Sequence, residues 1–211
     1  MNNLAQEVAK GLLTVGAVKL SPKEPFTWAS GWKSPIYCDN RVTLSYPELR
    51  TLIKNGLVSL FETQFKHLGA TAIAGVATAG IPQGALLAEA LDLPFGYVRP
   101  KPKEHGTGSL IEGRFDKKDK IVLVEDLIST GLSSLKAAQA LRNEGYEPIG
   151  MLAIFSYGFE IASQNFLNAN LPLHYLSDYH HLIEVAVSTG IVDSGSLELL
   201  KNWRENPDNW G

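Results

Sequence analysis

The chain has 211 residues, 45% of them hydrophobic, with a net charge of −3 and a pI near 6.0. That length carries one domain, residues 1–211, with a full core, and the mildly acidic balance speaks against nucleic acid or a membrane as a main partner. The single cysteine, Cys38, excludes an internal disulfide and a cysteine-rich metal site, which fits a reducing, cytoplasmic setting.

The N-terminus, MNNLAQEVAKGLL, has an acid, polar residues and no long apolar core, so it reads as neither a secretory signal nor an anchor. Leu4, Val8, Leu12 and Leu13 are spaced for an amphipathic helix, with Gly11 as a mild breaker near its end. FTWASGWKSPIYCDNR, residues 26–41, mixes aromatics, Gly31 and Pro35 as short strands and turns do, and residues 17–43 read as a small hood. Ser45 with Glu48 has the form of a capping box and Leu44 with Leu49 that of a hydrophobic staple, which predicts a helix over 46–61.

From there the pattern alternates. Strands are predicted over 71–76, 94–98, 121–124, 149–155 and 171–176, with helices over 81–91, from about 135 to 142, and from about 159. Such alternation argues for an α/β fold, a mostly parallel central sheet flanked by helices, with ligands at the C-terminal strand edge.

Three loops fall at that edge. In KIVLVEDLISTGLSS, residues 120–134, the apolar run Ile121, Val122, Leu123 and Val124 reads as a strand buried on both faces, which Glu125 and Asp126 are expected to stop. Leu127, Ile128, Ser129, Thr130 and Gly131 then form a short loop into a helix, whose free N–H groups and dipole favour an anion. A plain phosphate cradle would exclude acids, so the carboxylates should face sugar hydroxyls, a divalent cation, or both. No G-x-x-x-x-G-K-[ST] motif and no G-x-G-x-x-G motif opens a helix in this chain. The second loop, GVATAGIP at residues 75–82, reads alone as a tight turn with Pro82 in the first helical turn; beside the acidic loop it becomes a natural seat for a diphosphate. The third, RPKPKEHGTGSLIEGR at residues 99–114, gathers Arg99, Lys101, Lys103 and His105 between glycines, and a loop of that length with no apolar pattern is usually functional. A mobile cationic lid would suit a highly charged ligand such as a diphosphate seated at the same edge.

The block 120–134 resembles the phosphoribosyl pyrophosphate signature of the type I phosphoribosyltransferases. The order Arg99, Lys103, His105, Gly106, together with FTWASGWKSPIYCDNR and LIEG, is similar to the orotate phosphoribosyltransferase family. The resemblance implies the type I phosphoribosyltransferase fold and transfer of ribose 5-phosphate from phosphoribosyl pyrophosphate to orotate. It also implies Mg²⁺ as cofactor, held mainly by substrate oxygens, and a homodimer whose lid is shared across subunits. On that reading Arg99, Lys101, Lys103, His105 and Asp126 are catalytic. Phosphoribosyl pyrophosphate is met by Arg99, Lys103 and His105, by Glu125, Asp126 and Leu127 through Ser133 (Ile128, Ser129, Thr130, Gly131, Leu132), and by Thr78, Ala79 and Gly80. Orotate is met by Ser129, Lys33, Tyr37 and Cys38. Where some relatives have a hood Lys, this chain has Ala29, and where some have Arg after the strand ending at Phe155, it has Ser156-Tyr157. The rival readings are a purine-base phosphoribosyltransferase and a non-catalytic sensor of phosphoribosyl pyrophosphate.

Overall fold

The computed structural model describes residues 2–28, 31–101, 109–207 and 210, without the side chain of Asn2. Helix α1 (Asn2–Thr14) opens the chain, followed by four short strands, β1 (Val18–Leu20), β2 (Phe26–Thr27), β3 (Lys33–Ser34) and β4 (Ile36–Cys38). A 3-10 turn (Asn40–Ser45) leads into α2 (Pro47–Gln64), then β5 (Ala72–Val76), α3 (Gly80–Leu91), β6 (Phe95–Val98) and β7 (Ile111–Glu112). The remainder is β8 (Lys120–Ile128), α4 (Leu132–Asn143), β9 (Glu147–Ser156), α5 (Glu160–Asn168), β10 (Leu173–Asp178), α6 (Tyr179–Ser188) and α7 (Leu197–Glu205). Among the described residues no helix is long and apolar enough to cross a membrane.

Six strands form the central sheet in the order β10-β9-β8-β5-β6-β7, all parallel except β7, which runs antiparallel to β6. Alternation along the strands feeds two cores. Ile73, Val122, Val124, Leu152 and Ile154 point to one layer, while Ala72, Ala74, Ile121, Leu123, Met151 and Ala153 point to the other. The apolar run in β8 is therefore buried on both faces, as a strand covered by helices must be. From β5 the chain steps to β6 on one side, and later returns to β8 on the other. The strand order thus reverses between β5 and β8, and the crevice at such a reversal opens at the carboxyl ends of the two strands.

Several local expectations are corrected. Glu125 and Asp126 do not stop β8: the strand continues to Ile128, because β9 supplies ladder partners, Glu125 opposite Ala153 and Leu127 opposite Phe155. Ser45 is not a helix cap. It ends the 3-10 turn, and α2 starts after Tyr46 with Pro47 at a position where a missing N–H costs nothing and with no side-chain cap bond. Gly11 is no breaker either, since α1 passes through it; a Cβ there would lie 2.4 Å from Leu49 Cδ1, so the glycine lets α1 and α2 approach. The stretch after Val98 contains β7, whose Ile111 pairs with Val98.

Residues around 17–43 form two antiparallel pairs, β1 with β4 and β2 with β3. Helix α7, which periodicity did not pick out, braces them. Trp203 is fully buried and its Nε1 donates to the Lys33 carbonyl at 3.2 Å, while its ring meets Trp28 edge-on at 5.6 Å.

Candidate active site

The loop after β5 enters α3 under tight steric limits. Gly80 is buried, and a Cβ on it would fall 2.2 Å from the Val124 carbonyl oxygen of β8. A Cβ on Gly75 would meet the Gly80 carbonyl at 2.9 Å. These two glycines seat Thr78, Ala79 and Gly80 directly against the strand that carries the acids; the Ala77–Thr78 peptide is cis.

Glu125 is 7% exposed and both of its oxygens are engaged: Oε1 accepts from the Asp126 N–H at 3.0 Å and Oε2 from the Ser134 hydroxyl at 3.1 Å. Burial, and then the neighbouring Asp126 charge, push its carboxyl well above the usual range. Burial also raises Asp126, opposed by a hydrogen bond from Glu125 and by the Arg41 charge. Two like charges at this spacing resist full ionisation, so the pair invites donors or a cation. The backbone of Asp126 is held from the N-terminal segment: Asn40, 1% exposed, donates from Nδ2 to the Asp126 carbonyl at 2.7 Å. Sequence reasoning missed Asn40, whose partner lies 86 positions away.

Beyond the acids, Gly131 adopts φ +78°, a conformation open to glycine at little cost, and turns the chain into α4. A side chain there would also strike Phe166, at 2.6 Å. The first N–H groups of α4 have no helical acceptors, so Ser129, Thr130, Leu132 and Ser133 lie around a site suited to an anion. Ile128 differs, being fully buried in the core with its carbonyl accepting from Tyr157 N. The Thr130 carbonyl is taken by Asn165 Nδ2 at 2.9 Å.

Two cavities adjoin these loops. One, of about 290 Å³, is walled by Trp28, Tyr37 and Tyr157 and also lined by Thr27, Cys38, Leu127 and Ser129. It brings together Ser129, Tyr37 and Cys38 from the sequence reading. Lys33 is not a wall, but its Nζ donates to the Thr27 hydroxyl at 2.9 Å, which puts a cation at the rim. Thr27, Trp28 and Tyr157 were missed, although the aromatics of FTWASGW and the position of Tyr157 just past β9 were the available signals. The other cavity, of about 280 Å³, brings Arg99 beside Ser133 and Ala77 and adds Lys136, also missed. Arg99 is ion-paired there with Glu112 at 3.1 Å. Lys101 is exposed, while Lys103 and His105 lie outside the described residues.

Residues 47–161 match the family model described as "Phosphoribosyl transferase domain". Among curated proteins the chain is 57% identical over 208 residues to an orotate phosphoribosyltransferase of Cytophaga hutchinsonii, covering 99% of both, and 52% identical over 211 residues to one of Porphyromonas gingivalis, covering 100% of both. Among solved structures, the orotate phosphoribosyltransferase of Aeropyrum pernix is 31% identical with a TM-score of 0.75, covering 88% of this chain and 99% of that one. The fold is also that of part of Leishmania donovani UMP synthase, with a TM-score of 0.79 at 24% identity; the match covers 95% of this chain and 42% of that longer one. With a signature strand, a glycine-seated loop and relatives matched end to end, the chain belongs to the phosphoribosyltransferase family, among the orotate phosphoribosyltransferases.

Proposed function

We propose that this chain transfers the ribose 5-phosphate group of phosphoribosyl pyrophosphate to orotate, giving orotidine 5′-phosphate and pyrophosphate in pyrimidine biosynthesis. The observation that carries the reading is the crevice between β5 and β8, where a glycine-seated loop and an acid pair, Glu125 buried and Asp126 partly exposed, share one strand edge. A purine-base activity and a non-catalytic sensor have no comparable support beside relatives matched over 99% or more of the chain.

On this reading the Asp126 carboxylate holds the ribose hydroxyls, and Glu125, its oxygens satisfied by Asp126 N–H and Ser134, orients that acid and reaches the sugar only through the shared pair. The amides of Ser129 through Ser133 take the 5′-phosphate, and Thr78, Ala79 and Gly80 take the diphosphate. Orotate enters the aromatic-walled cavity with Ser129, Tyr37 and Cys38 around it and Lys33 at the rim. Its ring nitrogen forms the new bond to C1 as the bond from C1 to the diphosphate oxygen breaks, and that oxygen keeps the electron pair. Orotate is acidic, so the step asks for positioning and for charge stabilisation by Arg99, Lys101, Lys103 and His105 rather than for a strong base.

Mg²⁺ would fit here as an ion brought in by the diphosphate, since each Glu125 oxygen already accepts a hydrogen bond and Asp126 is the less engaged carboxylate of the pair. When bound it supplies neutralisation of the leaving diphosphate. The chain acts as one domain with residues 17–43 as hood, in the cytoplasm, and as a homodimer in which each lid serves its partner's site. The test is an assay of purified protein with phosphoribosyl pyrophosphate, Mg²⁺ and orotate, uracil, adenine or hypoxanthine in turn. Orotate alone should be consumed efficiently; preference for a purine would overturn the reading.

A further inference from the structure

Tyr157 stands directly after β9 and is 3% exposed, its ring enclosed by four others: Trp28 stacked at 5.2 Å, Phe159 stacked at 5.4 Å, and Phe155 and Trp203 edge-on at 5.8 Å each. So many neighbours fix the ring. Its hydroxyl, by contrast, makes no hydrogen bond with any described residue; the hydrogen bond of Tyr157 runs from its backbone N–H to the Ile128 carbonyl. A hydroxyl with no protein partner that opens on a cavity is free to meet what fills that cavity. It is not sealed in the core like Gln83 Oε1, because Tyr157 lines the 290 Å³ cavity beside Ser129.

The other polar walls of that cavity differ from it in being engaged, mobile or exposed. The Cys38 thiol donates to Asn40 Oδ1 at 3.4 Å, the Thr27 hydroxyl accepts from Lys33, and Tyr37 is 44% exposed to solvent. Tyr157 is thus an immobile, uncommitted donor in a slot with aromatic walls. Burial, and then the nearby Cys38 and Asp126, push the phenol well above its usual range, so it remains an O–H at any working pH. A neutral donor of this kind suits a planar, anionic ring with outward oxygens, since it meets their charge with a hydrogen bond and brings no buried cation.

Resting on the orotate reading above, we propose that Tyr157 is a base-recognition residue, its hydroxyl donating to an oxygen of the bound pyrimidine while its enclosed ring holds that hydroxyl in place. The residue discriminates for the base and takes no part in holding the sugar or the phosphates.

The test compares two ligands by titration calorimetry on the full chain, orotidine 5′-phosphate and ribose 5-phosphate, which differ by the base. Tyr157→Phe should weaken orotidine 5′-phosphate tenfold or more, the scale of removing one hydrogen bond to a charged group, and leave ribose 5-phosphate within twofold. Because the hydroxyl bonds to no described residue of the free protein, the thermal midpoint of the variant should hold or rise. Unchanged orotidine 5′-phosphate binding, equal weakening of both ligands, or a lowered midpoint would each overturn the proposal. A wild-type protein that binds orotidine 5′-phosphate no better than ribose 5-phosphate would sink the orotate reading itself, and this is seen before any variant is made.

Discussion

Asn40 Nδ2 donates to the Asp126 carbonyl at 2.7 Å, tying the N-terminal segment to the strand that carries the acid pair. The same side chain accepts from Cys38 Sγ at its Oδ1, and the backbone carbonyl of Asn40 accepts from the Thr43 hydroxyl at 2.6 Å, so the residue is locked on three sides. Asn40→Ala should leave the part-buried Asp126 carbonyl without this donor, at about 1–3 kcal/mol. In a chain of this size each kcal/mol corresponds to about 2–4 °C in Tm. Turnover should fall about tenfold as Asp126 loses its backbone anchor. Kinetics and melting curves equal to wild type would mean that the link carries no weight.

Gly80→Ala tests the seat of the β5 loop. The new methyl would sit 2.2 Å from the Val124 carbonyl oxygen, a backbone atom that cannot yield without moving β8. The expected cost is about 1–3 kcal/mol or more, with activity reduced further because the loop is pushed off the acid-bearing strand. A variant with normal Tm and normal turnover would contradict the packing described.

Glu125→Gln separates stability from activity. Burial and the Asp126 charge raise the Glu125 carboxyl in the folded chain, so the folded protein retains this proton at pH values where the unfolded chain has released it. The group's contribution is present below the ordinary glutamate range and is lost as pH rises through the folded value. The variant, which never ionises, should therefore gain stability over wild type as pH rises from 5 to 8, by about 2–4 °C or more in Tm, and lose activity. A gap that narrows over that range would show the sign to be wrong.

The sheet was legible because strands covered on both faces advertise themselves: Ile121 to Val124 needs no partner to be recognised. The end of β8 was not. Acids break a strand by propensity, and only the ladder to Ala153 and Phe155, with Ser134 and Asp126 N–H satisfying Glu125, explains why they do not here. Ser45 and Glu48 have the spacing of a capping box, yet the 3-10 turn that begins at Asn40 consumes Ser45 first. The loops of the site were readable from glycines and acids. The cavity wall was not, because Trp28, Tyr37 and Tyr157 meet only after α7 has placed Trp203 against Lys33 and Trp28.

The proposed sharing of the lid between subunits can be tested by mixing. Lys103→Ala damages the lid and Asp126→Asn the ribose seat, so each variant alone should be nearly inactive. In a hybrid dimer one site combines an intact Asp126 with the partner's intact lid. With random exchange about half the dimers are hybrids, and the mixture should regain roughly a quarter of wild-type activity. If subunits demonstrably exchange and activity stays absent, each lid serves its own chain.

The central claim is that the acid pair on β8 holds the ribose during transfer, and steady-state kinetics of Asp126→Asn test it most directly. The strand core lies in the fully buried Ile121 to Val124, so Tm should stay close to wild type. With orotate and phosphoribosyl pyrophosphate, kcat/KM should fall by about two orders of magnitude or more, the scale for deleting one well-placed polar group that stabilises a transition state; near-normal turnover by a folded variant would contradict the account.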